Sequence, residues 1–313
     1  MNRTKVMESI FLKKRFCTEC GIPVSIYDNP YFYPRVCTLE PFYESKTKFK
    51  RFCKSMETYK SEQEYSEDYN RIKEAMIQSI KGNPSYDEFV ANIPVIKTTY
   101  PKRELYSPDN SHRCFISIDM SAANFNAVRH FNSDIFGGAE TWQDFARRFT
   151  DNEHIIESKY VRQVVMGACN PKAQTRYETY LMATLLEHIV ENIPNAVVFS
   201  LGTDEILLEI PEKGCGYSIN HLEEVVASEP NGIGKLVKVE AFTLYKITGT
   251  DGYRKATYSG NISFKCLSAK MMIQIIKYYT GEPIVDNDLV FYDEGRIARY
   301  LEPIPNPFVA NEN

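Results

Sequence analysis

Apolar residues recur at helical spacing in two long stretches of this chain. Between about 55 and 80, a charged segment carries three large apolar residues at four-residue spacing, and between about 172 and 192 an apolar stripe continues until Pro194. Both patterns predict amphipathic helices, because one helix face repeats about every 3.6 residues. Shorter helices are predicted at 141–149, 154–168 and 268–279, the last with Ser268 as its N-cap.

Short runs of β-branched and aromatic residues indicate strands. One such run, Phe115-Ile116-Ser117-Ile118, ends at Asp119. Residues 196–210, AVVFSLGTDEILLEI, contain two apolar runs around a glycine-containing polar turn, which predicts a hairpin. Residues 235–247 predict a further strand, with a turn at 249–252. Together with the helices, these strands predict an α+β fold in which an antiparallel, palm-type sheet packs against helices.

The order of these elements divides the chain into three parts. Residues 1–110 form an N-terminal helical and irregular region, whose first 54 residues are rich in Cys, Pro, Tyr and Phe and are expected to be irregular. Residues 111–300 hold the predicted sheet. Residues 301–313, with three prolines, are expected to form an extended tail.

Composition and charge narrow the classes of protein. The 313 residues are 43% hydrophobic and 25% charged, as in ordinary globular proteins. No run of 18 or more apolar residues is present, and Lys13, Lys14 and Arg15 interrupt the only apolar patch near the N-terminus. We therefore expect a soluble intracellular protein, in the cytoplasm of a cell or host or in a virion, with no membrane partner.

The net charge of −4 argues against a uniformly basic nucleic-acid-binding surface, but positive charge is concentrated locally. Five cations lie within nine residues and alternate with Phe49 and Phe52. The cluster is typical of a nucleic-acid contact, and equally of a solvated helix face whose aromatic residues point into the core. Its cations are Lys46, Lys48, Lys50, Arg51 and Lys54.

Two acidic sites interrupt otherwise apolar strands. Asp119 follows the first strand, and Asp204-Glu205 lies within the hairpin. If both strands belong to one antiparallel sheet, the two sites can meet at its end and offer carboxylate oxygens to Mg²⁺ or Mn²⁺, and two such ions stabilise phosphoryl transfer. The alternative is purely structural, with Asp204 as a turn residue and Asp119 as a helix N-cap.

Three motifs in this region resemble the palm of the DNA polymerase I family. Asp119-Met-Ser-Ala-Ala-Asn124, with His130 eleven residues after the aspartate, is similar to that family's D-Y-S-Q-x-E motif and its histidine. The segment TDEILLEIP, residues 203–211, is similar to its H-D-E strand motif, and Asn170-Pro-Lys-Ala-Gln174-Thr is similar to its N-x-P-x-Q-G-T helix start.

The resemblance implies a template-directed nucleotidyltransferase that uses a nucleic-acid template and primer and nucleoside triphosphates. Asp119 and Asp204 would hold the catalytic metal ions, and Glu205 would be a supporting acid near the primer end. Arg162 and Gln174 would lie near the template, primer or triphosphate. The small size of such a polymerase suggests a viral source.

The sequence also departs from the family pattern. Asn124 replaces the glutamate that helps to reject ribonucleotides, and no lysine follows Arg162 by four residues, because Met166 stands there. The cation that grips the triphosphate would then be Lys102 or Arg103, as in viral RNA polymerases and reverse transcriptases. A full fingers domain does not fit between the motifs, so either the enzyme is minimal, or a second polymerase subunit completes it, or the chain is a catalytically inactive palm-derived subunit that binds nucleic acid or a partner protein.

Four cysteines near the N-terminus allow a third interpretation, a zinc-stabilised nucleic-acid-binding module. A C-x-x-C pair presents two thiolates to one Zn²⁺, and two later cysteines could complete a Cys₄ site. Buried reduced thiols explain the same residues without metal. The four cysteines are Cys17, Cys20, Cys37 and Cys53.

Overall fold

The computed structural model describes residues 3–96, 99–211 and 216–308. Its α-helices are α1 (Arg3–Glu8), α2 (Ile10–Cys20), α3 (Phe32–Thr38), α4 (Glu40–Tyr43), α5 (Ser45–Met56), α6 (Glu62–Lys81), α7 (Pro84–Ala91), α8 (Ala123–Phe131), α9 (Trp142–Ala146), α10 (Glu153–Glu157), α11 (Lys159–Gly167), α12 (Pro171–Asn192), α13 (Ile219–Ala227) and α14 (Met272–Thr280). Its strands are β1 (Cys114–Met120), β2 (Val197–Leu201), β3 (Glu205–Ile210), β4 (Val237–Lys246), β5 (Tyr253–Thr257), β6 (Ile262–Lys265), β7 (Val290–Asp293) and β8 (Arg296–Arg299).

A six-stranded antiparallel sheet with the order β2-β3-β1-β4-β5-β6 forms the centre of the fold. The predicted hairpin is β2 and β3, and the predicted long helix is α12. The α+β class with an antiparallel sheet packed against helices is therefore confirmed. The β7–β8 hairpin forms a separate two-stranded sheet that the sequence pattern did not indicate.

The first 54 residues are mostly helical, so the expectation of an irregular segment there is wrong. Helices α1 to α5 surround a cluster of aromatic rings in which Phe16 lies 5.0 Å from Phe49 and 5.7 Å from Phe52, between ring centroids. Short helices have little stability of their own, and packing of one apolar face usually holds them. The aromatic content that suggested irregular structure instead supplies the core of this helical layer.

Several predicted boundaries shift because capping side chains determine them. The helix expected from about 55 is α6, whose N-cap Ser61 accepts a hydrogen bond from the backbone N–H of Glu64 at 3.1 Å. Ser158 breaks the segment 154–168 into α10 and α11. Ser268 is not an N-cap, since α14 has Met271 in that position.

The two faces of the sheet differ. Because successive side chains in a strand alternate, Ile116 and Ile118 of β1 join the large core formed with the helices. Phe115, Ser117 and Asp119 point to the opposite face. There, a smaller apolar cluster of seven buried residues lies towards the other end of the strands from Asp119: Leu105, Phe115, Phe199, Leu207, Phe242, Leu244 and Tyr253.

The large core also includes buried residues of α1 to α3 and of α5 to α7, with Phe42 and Tyr43 of α4 packed against it, so the N-terminal helices and the sheet share one apolar interior. Residues 301–308 contain no helix or strand, and residues 309–313 of the expected tail lie outside the described residues. Within the described ranges, no helix is both long enough and apolar enough to cross a lipid bilayer.

Candidate active site at the end of the sheet

The pairing of β1 with β3 brings the two acidic sites together. The Cα atom of Asp119 pairs with that of Glu205, and Asp204 lies in the turn just before β3. The backbone N–H of Met120 donates to the carbonyl oxygen of Asp204 at 2.8 Å, which fixes the turn against the end of β1. Asp119 is not an N-cap, because Ala122 occupies that position of α8.

A cleft of about 260 Å³ opens at this end of the sheet. Its walls come from the end of β1, the start of α8, one face of α11, the first half of α12 and the β2–β3 turn. It is lined by Asp119, Met120, Ser121, Ala122, Ala123, Asn124, Lys159, Arg162, Gln163, Glu178 and Asp204. The cleft therefore includes both proposed metal-binding aspartates and two of the five predicted nucleotide-binding or template-binding residues.

Three carboxylates border the cleft, and they differ in burial. Asp119 and Asp204 are exposed, whereas Glu178 of α12 is only 7% exposed. Partial desolvation by the surrounding protein and the charge of Asp204 raise the pKa of Asp119 above its ordinary value, although Lys255, Lys159 and Lys265 oppose the change. Burial and the charge of Asp204 raise the pKa of Glu178 to about 7. The cleft thus brings together three carboxylates and two cations, Lys159 and Arg162, so its negative charge is only partly offset.

Glu205 lies beside this group, on the face of the sheet that bears the smaller apolar cluster. The hydroxyl of Ser117 donates to one of its carboxylate oxygens. Burial raises its pKa, an effect that the Ser117 hydrogen bond and Lys255 oppose and that Asp119 and Asp204 reinforce. Glu205 is therefore already hydrogen-bonded within the protein, in contrast to the three carboxylates that line the cleft.

Two cations face these acids from α11. Lys159 and Arg162 are three residues apart, so they project from the same side of the helix. The Nε atom of Arg162 is buried without a hydrogen-bond partner in the described chain, and burial lowers the pKa of its guanidinium. An incompletely bonded guanidinium that borders a cleft is suited to bind an anion such as a phosphate.

Ser158 positions α11. Its hydroxyl accepts from the N–H of Val161 at 3.3 Å as the N-cap of α11 and donates to the carbonyl oxygen of Glu19 in α2 at 2.9 Å. Val161 and Val165 are buried on the opposite side of the helix. The N-terminal helical layer therefore sets the orientation of the helix that carries both cations.

The start of α8 completes the cleft. Ala122 has φ 47° and ψ 45°, the left-handed region that a residue with a Cβ seldom adopts. This turn directs the chain from β1 into α8 and leaves Asn124 half-buried on the wall of the cleft. Strained backbone of this kind is concentrated at functional sites.

Gln174 does not line the cleft, and its predicted role next to a nucleotide or template stays a prediction. Its side chain is 3% exposed, and its amide donates to the carbonyl oxygens of Met166, at 2.9 Å, and Cys169. These bonds tie the start of α12 to the end of α11. Gln174 therefore positions the two helices that carry Arg162 and Glu178.

Lys102 and Arg103 also lie away from the cleft. Both are exposed on the segment that runs beside edge strand β2, where the N–H of Arg103 donates to the Ser200 hydroxyl at 3.2 Å. The Arg103 guanidinium is 5.7 Å from the ring centroid of Phe199, a member of the smaller apolar cluster. Lys102 and Arg103 do not line the cleft, where the cations are Lys159 and Arg162, and their predicted contact with a triphosphate stays a prediction.

The structure does not gather the four candidate zinc ligands into a metal site. Cys37 is exposed on α3, whereas Cys17 and Cys53 are buried. Burial raises the pKa of all three less exposed thiols, for Cys20 to about 12 and for Cys53 to about 11, which favours the protonated form over the thiolate that Zn²⁺ needs. Binding of Zn²⁺ remains a prediction.

Sequence reasoning missed Glu178 and Lys159. The signal for Glu178 was present, because Gln174, Glu178 and Met182 follow at four-residue spacing on the buried side of α12. A carboxylate at a core position requires either a partner or a ligand. Lys159 gave no comparable signal, since an exposed lysine at the start of a helix is common.

The donor chemistry of the cleft suits a divalent cation of the Mg²⁺ type. In the described ranges, no three His, Cys, Asp or Glu side chains are arranged as a complete metal site. Mg²⁺, however, is usually held by one or two carboxylates, with water and substrate phosphates as its remaining ligands. Asp119 and Asp204, whose charges repel each other at the mouth of the cleft, are the residues that would hold it.

Comparisons with protein-family models, with curated proteins and with solved structures find no match to this chain.

Proposed function

We propose that the chain is a template-directed nucleotidyltransferase whose active site is the cleft between β1, the β2–β3 turn, α11 and α12. The observation that carries this proposal is the division of charge across one cleft. Asp119, Asp204 and Glu178, from β1, the β2–β3 turn and α12, line it together with Lys159 and Arg162, both from α11. A nucleoside triphosphate with its divalent cation has the complementary charges.

The reaction would be attack of a primer 3′-hydroxyl on the α-phosphate of a nucleoside triphosphate. The new bond joins the 3′-oxygen to the α-phosphorus, the bond from that phosphorus to the bridging oxygen breaks, and pyrophosphate leaves. A divalent cation bound to Asp119 and Asp204 would supply neutralisation of the phosphate charge. Lys159 and Arg162 would bind the phosphate groups and orient them, since catalysis of phosphoryl transfer depends mainly on position and charge.

Primer extension by the purified chain tests the proposal. The assay uses Mg²⁺ or Mn²⁺, DNA and RNA templates, and both deoxynucleoside and ribonucleoside triphosphates, because the residues do not decide between these substrates. Asp204→Asn and Asp119→Asn should each lower the rate by about a hundredfold or more, since each removes a charge at the reacting phosphate. The matched control is Asp87→Asn on the exposed surface of α7, which should leave the rate unchanged.

Extension that is equally fast in Asp204→Asn and in the parent chain would overturn the assignment of the cleft. Absence of extension under every condition would favour the alternative, in which the chain is a catalytically inactive subunit that binds nucleic acid or a partner protein. The test would then be repeated with the isolated partner, since a second polymerase subunit is one way to supply the missing fingers.

A further inference from the structure

The basic cluster of α5 borders a groove that leads out of the cleft. A second pocket, of about 220 Å³, shares Lys159 and Gln163 with the cleft and adds Lys48 and Arg51 of α5. A third pocket, of about 740 Å³, shares Arg51 with the second and adds Lys54. The cleft and these two pockets are therefore neighbours in a row, and we name the second and third pockets together the α5 groove.

The cations of the α5 groove have no carboxylate partner. Among the described residues, Lys48, Arg51, Lys54 and Lys159 form no ion pair. On α5 the three cations follow at three-residue spacing, so they face one side of the helix. The helix holds this orientation because Phe49 and Phe52 are buried on its other side.

The acidic residues of the same groove are partly neutralised. Glu157 and Glu153, on α10, lie 4.0 Å and 3.5 Å from the guanidinium of Arg147. Glu19 is buried and bonded to Arg15. Positive charge in the groove thus comes from α5, whereas Glu153, Glu157 and the exposed Asp151 come from α10 and the segment just before it, so the α5 side is the one that attracts a phosphate backbone.

An aromatic side chain lies where the groove meets the cleft. Tyr160 is 37% exposed and lines the same pocket as Lys48 and Arg51. Proteins that bind single strands combine a cationic track for the phosphates with aromatic rings on which bases stack. Phe49 and Phe52, which alternate with the cations in the sequence, cannot serve as stacking residues because they are buried.

We propose that the α5 groove binds single-stranded nucleic acid and guides it to or from the cleft. Lys48, Arg51 and Lys54 contact successive phosphates, and Tyr160 stacks on a base beside Lys159. The occupant is one strand, because only one side of the groove is cationic. The inference rests on the proposed function in taking a template strand as the natural occupant, but binding can be measured without catalysis.

The test is equilibrium binding of fluorescently labelled oligo-dT and oligo-U by anisotropy at several salt concentrations. The variant Lys48→Glu/Arg51→Glu/Lys54→Glu should lower affinity at low salt at least roughly tenfold. It should also reduce the slope of log affinity against log salt by about 2, since each phosphate contact on a single strand contributes roughly 0.7. Tyr160→Ala should lower affinity about fivefold with an unchanged slope, because stacking involves no counterion release.

A charge-matched control separates the groove from overall charge. The variant Lys172→Glu/Lys235→Glu/Arg296→Glu removes three exposed cations outside the groove and should bind as the parent chain does. Thermal unfolding checks that each variant is folded. If the glutamate triple variant is unfolded, the glutamine triple variant at the same three α5 positions replaces it and should still lose about fivefold in affinity.

Unchanged affinity and salt slope in the folded α5 variants would overturn the proposal, even if the chain extends primers. If duplex DNA or polyglutamate binds as tightly as the single strands do, and loses as much affinity in the α5 variants, the assignment to a single strand is overturned. Conversely, single-strand binding that depends on α5, in a chain that extends no primer, would overturn the proposed function and leave the groove assignment in place.

Discussion

Two helical glutamates are almost equally buried but have opposite electrostatic environments. Glu19 of α2 is 3% exposed, and Glu178 of α12 is 7% exposed. One oxygen of Glu19 accepts from Arg15 at 2.6 Å, and the other accepts from Tyr65 at 2.8 Å and contacts His154 at 2.6 Å. Glu178 makes no hydrogen bond or ion pair with the described residues and borders the cleft.

The pKa changes follow from this difference. Burial alone would raise the pKa of Glu19, but the hydrogen bonds and positive charges of His154 and Arg15 lower it below its ordinary value. Burial and Asp204 raise the pKa of Glu178 to about 7, with no partner to oppose them. The comparison teaches that a buried carboxylate with all its partners inside the protein holds the fold together, whereas one without them indicates a site for a ligand.

The largest expected effect comes from Glu19→Gln. Removing one member of a buried ion pair leaves Arg15 without its partner and should lower the free energy of unfolding by about 3 to 5 kcal/mol. Urea denaturation at pH 7 measures the loss, with Glu223→Gln on the exposed surface of α13 as the control. Because the folded pKa of Glu19 is lowered, its contribution is present above about pH 4.3 and disappears as the pH falls. A loss below 1 kcal/mol would contradict the structural role.

Glu178→Gln should show the reverse dependence on pH. In metal-free buffer, the parent chain loses stability as Glu178 ionises between its ordinary value of 4.5 and about 7, and this cost is complete above pH 7. Relative to the parent, the variant should therefore gain about 2 to 3 kcal/mol in unfolding free energy between pH 4.5 and 8. The measurement is urea denaturation across that pH range. If the difference in unfolding free energy between the variant and the parent stays constant across this pH range, Glu178 has a partner in the folded protein.

Tyr65→Phe tests one of the hydrogen bonds that Glu19 accepts inside the protein. It removes one hydrogen bond to a buried carboxylate without changing the shape of the ring, so the free energy of unfolding should fall by about 1.5 kcal/mol. Tyr258→Phe, on an exposed ring, serves as the control. If Tyr65→Phe leaves the free energy of unfolding unchanged, the hydrogen bond from Tyr65 does not stabilise the buried carboxylate of Glu19.

The smallest effect is stabilisation by a divalent cation. Mg²⁺ or Mn²⁺ at about ten times its dissociation constant should raise the free energy of unfolding by about 1 kcal/mol at pH 8. The same addition should weaken the pH dependence attributed to Glu178 and leave that of Glu19 unchanged, because only Glu178 lies beside Asp204. Asp119→Asn/Asp204→Asn should lose the response, and an equal response in that variant would place the cation elsewhere.

The sequence allowed prediction of strands β1 to β4 and of the acidic pair, because these depend on local patterns, but it did not indicate β5 and β6. Two short apolar runs around Gly202 have few alternatives to a hairpin, and antiparallel pairing then brings Asp204 to the end of β1. The helices before residue 57 were not foreseen, since their stability comes from tertiary contacts among aromatic rings. Motif position alone did not indicate that Gln174 is buried, because its burial depends on tertiary contacts with the end of α11.

Lys159 is a residue of the cleft that the sequence did not indicate. It enters the site only because Ser158 ends α10 and starts α11, and this break turns α11 so that Lys159 faces the cleft. The residue type carries no such information. The basic cluster of α5 was visible in the sequence, but only its position beside the cleft distinguishes a binding groove from a solvated helix face.

The strand order has a consequence for synthesis of the protein. Strand β1 lies between β3 and β4, and both of its partners follow it by a long stretch of chain. At translation rates of about 5 to 20 residues per second, β1 leaves the ribosome on the order of ten seconds before β3 and β4 are available to pair with it. During that interval both faces of an apolar strand lack their partners, and Asp119 is still remote from Asp204. The cleft thus cannot assemble before Asp204 has emerged, and its completion reports that β1 has paired with β3.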